Sequence, residues 1–361
     1  MILKLITENK LNSEIELINQ IILEKISDSI ISIILYGGYG RGEGAFYYDE
    51  QKKIRTYNDF DIVLVVKSIV EENIINQILK DLNKKIDVKW IDLSQKSLKS
   101  LKNLKLSIFN YDLKNGSRVI YGDQKIFNEI PSFKAKNIKL KEAETLYFTR
   151  LWAFLGSLPL DGFDRKLNSE EVRFFNYQMT KAILAVVDVI LLNEAEYCTS
   201  YKERVKKLVA LKKDNKDLVK WSNWAIGQKL FPSCELISPS QVKQMYKDIL
   251  SLYIEEMYSI LSVYYNRKIK NSFDIKQSLL YSKSEWIIFV KLLLKTRSLS
   301  YAKDFKMKLI QSFLVEAFLK KENQKEILLK ESRKLFKQIS KLSKCQDWNS
   351  MRIVIAKLRE G

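Results

Sequence analysis

The chain has 361 residues, 46% of them hydrophobic and 29% charged, a globular composition with room for two cores that excludes a fibrous or wholly disordered protein. It contains no histidine, which excludes His-based general-base catalysis, Ser–His–Asp triads and His-ligated zinc. The net charge of +19 is lopsided: residues 1–135 hold 20 Lys+Arg against 18 Asp+Glu, and residues 136–361 hold 42 against 25.

Ser13–Ser29 places Ile15, Leu17, Ile18, Ile21, Ile22 and Ile26 at helical spacing, with Ser13 as an N-cap candidate. Ile30–Tyr36 is a β-branched run that reads as a buried strand and ends in Gly37, Gly38, Gly40, Gly42 and Gly44. Phe60–Val66 is a second apolar strand, Glu71–Leu82 an amphipathic helix, and Ile86–Leu93 a third, alternating strand. Leu104–Asn110 and Arg118–Tyr121 are weaker strand candidates joined through a turn at Asn115-Gly116.

Beyond about Leu140 the pattern turns helical: Glu142–Leu158, Glu170–Leu192, Tyr201–Leu211, Lys216–Ala225, Ser240–Tyr265, Asp274–Leu294, Tyr301–Lys320, and a charged helix pair over Lys321–Arg359. The expected architecture is therefore α+β. A mixed-sheet α/β domain spans 1–135 and a large all-helical region spans 136–361, with a break near 230–240 at Pro232 and Pro239.

Cys198, Cys234 and Cys345 match no metal spacing, and so sparse a count fits a reducing cytoplasm. Met1–Lys10 lacks a charged region followed by a long apolar stretch, so no signal peptide is expected. The longest apolar run, Ala182–Leu192, is broken by Asp188 and is too short to span a bilayer. A cytoplasmic protein without a membrane partner is expected. The basic second half points to an anionic partner such as RNA or an acidic metabolite. The competing reading is lysines accumulated on solvated helix faces of a Lys-, Ile- and Asn-rich chain.

The chemistry concentrates in two stretches, Gly37–Gly44 and Asn58-Asp59-Phe60-Asp61-Ile62. A strand running into Gly37-Gly38 turns sharply and lets backbone approach a ligand, and a helix starting there turns free N–H groups toward phosphate. Arg41 adds a fork for phosphate oxygens. Asp59 and Asp61 lie two apart on a strand, so both side chains point to one face, opposite Phe60, Ile62 and Leu64. Adjacent carboxylates repel; magnesium, which prefers hard oxygen ligands, relieves that repulsion. A third acid comes from Asp87 or Asp92. These have opposite parity, so only one faces the site, and Asp87 is the choice. Such parts make a two-metal phosphoryl-transfer site.

The two stretches resemble the signature of the DNA polymerase β-like nucleotidyltransferase superfamily, most closely its minimal and aminoglycoside-modifying members. The pattern there is a hydrophobic residue, Gly, Gly or Ser, an Ala-Arg-Gly-like stretch, then an Asp-hydrophobic-Asp pair. Lys85–Leu93 resembles the strand that brings the third acid. The resemblance implies that Asp59, Asp61 and Asp87 hold two Mg2+ ions, that Asp87 orients or deprotonates a hydroxyl acceptor, and that Gly37, Gly38 and Arg41 bind the triphosphate of an NTP donor. It covers roughly residues 30–125. Gly38 replaces a common Ser, and the 20 residues between Gly38 and Asp59 are more than usual, so Phe46–Tyr57 is expected to form a hairpin or flap. A looser likeness over Asn176–Leu192 followed by Tyr197–Leu208 implies that Lys181, Tyr201 and Arg204 reach phosphate or base. The acceptor stays open between small molecule, RNA and protein. The alternative is a catalytically silent regulatory or RNA-binding protein on the same scaffold.

Overall fold

The computed structural model describes residues 2–57, 59–86, 88, 90–235, 237–281, 300–339 and 347–360. The architecture is α+β, a small mixed sheet followed by a helical region. The chain forms two compact units. The first takes Met1–Lys139 together with Ala195–Lys207 and Ile226–Ser233; the second takes Leu140–Glu194, Leu208–Ala225 and Cys234–Gly361. Two short segments from the helical half of the chain thus belong to the sheet-bearing unit.

The first unit opens with α1 (Ile2–Ile26). Ser13 lies inside this helix and does not cap it: its hydroxyl donates to the Lys10 carbonyl at 3.0 Å. The strands are β1 (Ile30–Tyr36), β2 (Phe46–Tyr48), β3 (Ile54–Thr56), β4 (Phe60–Val66), β5 (Ile91–Ser97) and β6 (Arg118–Gly122). The main sheet has the order β5-β4-β1-β6; β1 runs antiparallel to β4 and β6, and β4 parallel to β5. Strands β2 and β3 form the expected hairpin. The parallel β4–β5 pair needs a crossover, which α3 (Glu72–Lys85) supplies.

Alternation divides the sheet's side chains between two layers. Ile33, Leu35, Phe60, Ile62, Leu64 and Val66 pack beneath α1 and α3, with Ile18, Ile22, Ile78 and Leu82. Ile34, Val63 and Val65 face the opposite way, onto Leu101, Leu113 and Ile126. Burial of both faces explains why β1 and β4 read as nearly continuous apolar runs, interrupted only by Ser32 and Asp61.

Two sequence expectations shift. Helix α3 continues past Leu82 to Lys85, and the Ile86 N–H still donates to the Leu82 carbonyl at 2.9 Å. The third strand therefore starts at Ile91, not Ile86. The stretch Leu104–Asn110 is not a strand: Ser107 accepts from the Asn110 N–H at 3.1 Å and caps helix α5 (Ile108–Asn115), following the five-residue α4 (Leu98–Lys102).

The second unit is built from α6 (Lys141–Leu155), α7 (Ser169–Asn193), α10 (Pro239–Tyr265), α11 (Ser272–Tyr281), α12 (Ser300–Leu319), α13 (Glu322–Phe336) and α14 (Trp348–Glu360). Helices α8 (Tyr201–Leu211) and α9 (Lys216–Leu230) pass between the units in sequence. The part of the expected Asp274–Leu294 helix beyond Tyr281 lies outside the described residues. Buried tyrosines cross-link this unit: Tyr246 donates to the Phe154 carbonyl at 3.0 Å and Tyr253 to that of Tyr147 at 2.7 Å. Arg352, fully buried, donates to the carbonyls of Leu155, Leu158 and Pro159 at 3.1, 2.8 and 2.6 Å. Those are carbonyls that the end of α6 and its exit loop leave without helical partners. Among the described residues one helix, α7, is long and apolar enough to cross a membrane. Its apolar window is 94% buried inside this unit, which makes it a core helix.

Candidate active site

Asp59 immediately precedes β4 and Asp61 is its second residue, on the face shared by Val63 and Val65. Two neighbours join them there. Tyr36, the last residue of β1, is the register partner of Asp61 on one side. Asp92, the second residue of β5, is its register partner on the other. Register partners on adjacent strands point the same way, so the sheet sets Tyr36, Asp61 and Asp92 side by side.

The electrostatics agree with this placement. Burial, reinforced by the charges of Asp61, Asp92 and Asp59, pushes the Tyr36 phenol well above its ordinary value. Partial burial and the charge of Asp59 raise the Asp92 carboxyl. Tyr36 is thus a neutral hydrogen-bond donor facing three acids, and Asp92 holds a proton more readily than an ordinary aspartate.

The glycine turn completes the site. Gly37 follows Tyr36 with φ +68° and opens a four-residue helical turn, α2 (Gly37–Gly40). A Cβ at Gly37 would stand 1.9 Å from Asp61 Oδ2. The Asp61 carboxylate therefore lies directly against the Gly37 backbone, in space that only glycine leaves open. Beneath the turn Tyr39 is buried and stacked on Phe60 at 4.7 Å, its hydroxyl donating to the Ala45 carbonyl at 2.8 Å. Gly37 and Gly38 contribute first-turn N–H groups, which a helix does not itself satisfy.

Arg41 was expected on phosphate, but its side chain is turned inward and only 6% exposed. It donates to Asp112 Oδ2 at 3.2 Å and lies 4.5 Å from the Tyr201 ring centroid. Burial opposes its charge, yet Tyr201 and Asp112 outweigh burial and hold its pKa above the ordinary value. Asp112 also accepts from Arg204 at 2.9 Å and from the Tyr197 hydroxyl at 3.1 Å. Glu43, at the end of the glycine loop, accepts from the Tyr201 and Lys202 N–H groups at 2.8 and 3.0 Å and from the Ser200 hydroxyl at 2.8 Å. A buried carboxylate from the loop thus caps the N-terminus of α8. Arg41, Glu43, Asp112 and Arg204 form a charge-balanced clamp that fixes the loop's shape. Sequence reading missed this clamp, because Asp112 and Arg204 lie some 70 and 160 residues beyond Arg41 and Glu43 and no local pattern links them to the loop.

Of the residues expected at the site, the structure brings together Asp59, Asp61, Gly37 and Gly38. Asp87 lies outside the described residues. Lys181 belongs to the second unit, where its ammonium rests 4.4 Å from the Tyr177 ring centroid. Arg204, expected to reach phosphate or base, is 1% exposed and serves the clamp. Asp92, the other candidate for the third acid, lies beside Asp61, as does Tyr36, which sequence reading did not single out. Their place beside Asp61 comes from the strand pairing, antiparallel β1–β4 and parallel β4–β5.

Among the described residues no group of three or more Cys, Asp or Glu side chains is gathered tightly enough to hold a metal ion unaided. Magnesium does not require such a cage. It commonly takes one or two carboxylates and fills its octahedron with water and phosphate oxygens. Mutually repelling carboxylates on one sheet face, with Asp92 raised by Asp59, are the hard-oxygen donor set whose repulsion a divalent cation relieves.

No known family's profile matches the chain, and no curated protein matches it. Among solved structures it is similar to the crystal structure of spectinomycin adenyltransferase AAD(9) from Enterococcus faecialis with ATP and spectinomycin. The TM-score is 0.42 and the identity 13%, covering 68% of this chain and 98% of that one. At that level neither activity nor ligand carries over to this chain.

Proposed function

We propose that the first unit transfers a nucleoside monophosphate from an NTP to a hydroxyl acceptor. The observation that carries this reading is the register Tyr36–Asp61–Asp92 across β1, β4 and β5, with Asp59 alongside and Gly37 seated under the Asp61 carboxylate. In this reading the acceptor oxygen attacks the α-phosphorus, the bond to the β-phosphate oxygen breaks and pyrophosphate leaves. The hydroxyl proton passes to Asp92, whose raised pKa suits a proton acceptor. Asp92 thus takes the place expected of Asp87. Asp59 and Asp61 hold magnesium, two ions by the polymerase-β-like scheme. Bound magnesium supplies charge neutralisation on the triphosphate and lowers the pKa of the attacking hydroxyl. The Gly37 and Gly38 N–H groups and the neutral Tyr36 hydroxyl donate to phosphate oxygens. Arg41 positions the loop through Asp112. The reaction belongs in the cytoplasm, where NTPs and magnesium are supplied.

The test is label transfer. The protein, magnesium and each NTP labelled at the α-phosphate are incubated with host extract, which is then separated into RNA, protein and small molecules. The Asp59→Asn/Asp61→Asn double variant is the blank. The expected outcome is label in one fraction from one NTP, lost in the blank, which also names the acceptor class. Label that persists in the folded double variant sinks the assignment. NTP binding with no transfer to any fraction favours the catalytically silent scaffold.

A further inference from the structure

The second unit carries a cleft of about 580 Å³ between the loop after α6, the first half of α10, the α12–α13 junction and the start of α14. Its aromatic wall is a continuous cluster. Phe163 stacks on Phe318 with centroids 5.3 Å apart and planes at 28°, and Phe318 lies 5.1 Å from Trp348. Phe163 and Phe318 are only half-buried, so ring surface stays open to the cleft. The Trp348 indole N–H is spent on the Leu314 carbonyl at 2.7 Å, which locks that ring in place.

Around the rings stand ammonium groups of two kinds. Lys320 and Lys325 are held by Glu316 and Glu322 at 3.3 and 3.4 Å. Lys243 and Lys247, one turn apart on α10, and Lys321, at the α12–α13 junction, are exposed and have no ion-pair partner among the described residues. Two further carboxylates line the cleft. Asp347 is engaged in capping α14, accepting from the Ser350 N–H at 2.9 Å and hydroxyl at 2.7 Å, and Asp164 sits exposed at the rim. Uncommitted positive charge thus borders an open aromatic surface.

Charge of this kind tracks a phosphate backbone, and aromatic faces stack unpaired bases. A volume of this size suits one or two nucleotides rather than a duplex groove. We infer that this cleft binds single-stranded nucleic acid, with phosphates at Lys243, Lys247 and Lys321 and a base against Phe163 and Phe318. A merely solvated lysine face does not account for the half-open stacked rings between the cations. The inference does not depend on the nucleotidyl-transfer reading, because its readout is binding alone.

The test uses the full chain and 5′-fluorescein-labelled single-stranded 20-mers of RNA and DNA, with fluorescence anisotropy followed across a salt series. The Lys243→Glu/Lys247→Glu/Lys321→Glu variant should weaken binding at least tenfold. Losing three phosphate contacts should also reduce the log–log salt slope by about 2. Phe163→Ala should weaken binding by roughly 5- to 100-fold without changing that slope. The milder Lys243→Gln/Lys247→Gln pair should shift affinity and slope in the same direction, and it serves if the triple variant does not fold. RNA and DNA differ only if the 2′-hydroxyl is read. A control, Lys84→Glu/Lys85→Glu/Lys99→Glu in the first unit, should change affinity less than twofold. The inference is overturned if the folded charge variants bind like the parent, or if the control loses as much. It is equally overturned if polyglutamate competes as well as the oligonucleotide while Phe163→Ala has no effect.

Discussion

Replacing Gly37 with alanine perturbs the site through a single carbon atom. Two terms add. The backbone there has φ +68°, where an L-residue with a Cβ costs about 1–2 kcal/mol. The new Cβ also stands 1.9 Å from Asp61 Oδ2, so the carboxylate must retreat by about 1.5 Å to reach ordinary contact near 3.4 Å. Forcing that side chain off its rotamer costs roughly 0.5–1.5 kcal/mol more. The sum, about 1.5–3.5 kcal/mol, corresponds to a fall in Tm of several degrees for a unit of this size. The internal reference is Gly42→Ala, which has a similar φ of +72° but no neighbour within 4 Å of the added carbon. It carries the backbone term alone. The functional consequence separates the two more sharply in the proposed reading, where displacing the Asp61 carboxylate by an ångström or more can cost about 100-fold in rate. Urea denaturation reads the stability of both variants, and titration with Mn2+ followed by electron paramagnetic resonance reads ion binding without knowledge of the acceptor. Gly37→Ala should lose Mn2+ affinity and more stability than Gly42→Ala, and Gly42→Ala should keep its Mn2+ affinity. Equal stabilities together with intact Mn2+ binding in Gly37→Ala would refute the placement of Asp61.

Asp92→Asn should raise the Tm of the magnesium-free protein near neutral pH. A carboxyl whose folded pKa lies above its unfolded value weakens the fold once pH has risen through that interval, and the amide removes the penalty. The gain should disappear below the ordinary carboxylate range, and a lower Tm at neutral pH would show that Asp92 is stabilised where it stands. Glu43→Gln replaces a buried charge that accepts three hydrogen bonds at 2.8–3.0 Å with an amide that accepts less well, and should cost about 2–3 kcal/mol in urea denaturation. A loss under about 0.5 kcal/mol would remove the clamp as an explanation of loop shape. Arg352→Met strands the Leu155 and Leu158 carbonyls, while that of Pro159 keeps the Gly162 N–H at 3.0 Å, and a loss of about 2–5 kcal/mol should appear in the melting of the second unit.

How much of this was legible beforehand depended on the range over which each feature is encoded. Ile30–Tyr36 and Phe60–Val66 were read to the residue, because strands buried on both faces write themselves as nearly continuous apolar runs. Tyr201–Leu211 was equally plain from its spacing. The parity of Asp59 and Asp61 is local and was readable. The placement of Asp92 beside Asp61 was not, since it turns on where β5 begins, and that is set by how far α3 runs before the chain can lie beside Phe60. Leu104–Asn110 misled because its apolar residues suit either element, and Ser107, whose hydroxyl decides for a helix, was passed over. Arg41 misled for a different reason. In a glycine loop an arginine reads as a phosphate ligand, and only the fold reveals Asp112 waiting for it. The Phe163–Phe318 stack was not legible either, because the two rings lie far apart in sequence and only the fold pairs them.

The clamp at Asp112 also sets an order of events during synthesis. Every strand of the sheet has been made by Gly122, yet Glu43 and Asp112 receive their remaining donors only from residues 197–204, and the last stretch of the unit ends at Ser233. At translation speeds of about 5–20 residues per second, the roughly 90 residues between Lys139 and Ser233 take about 5–20 s to appear. Through that interval the nascent sheet carries its glycine loop with buried-to-be charges still unmet, and helices α6 and α7 of the other unit emerge before the first is closed. A polypeptide cut at Lys139 would stay in that unfinished condition, so the sheet-bearing unit of this protein is not a detachable N-terminal module.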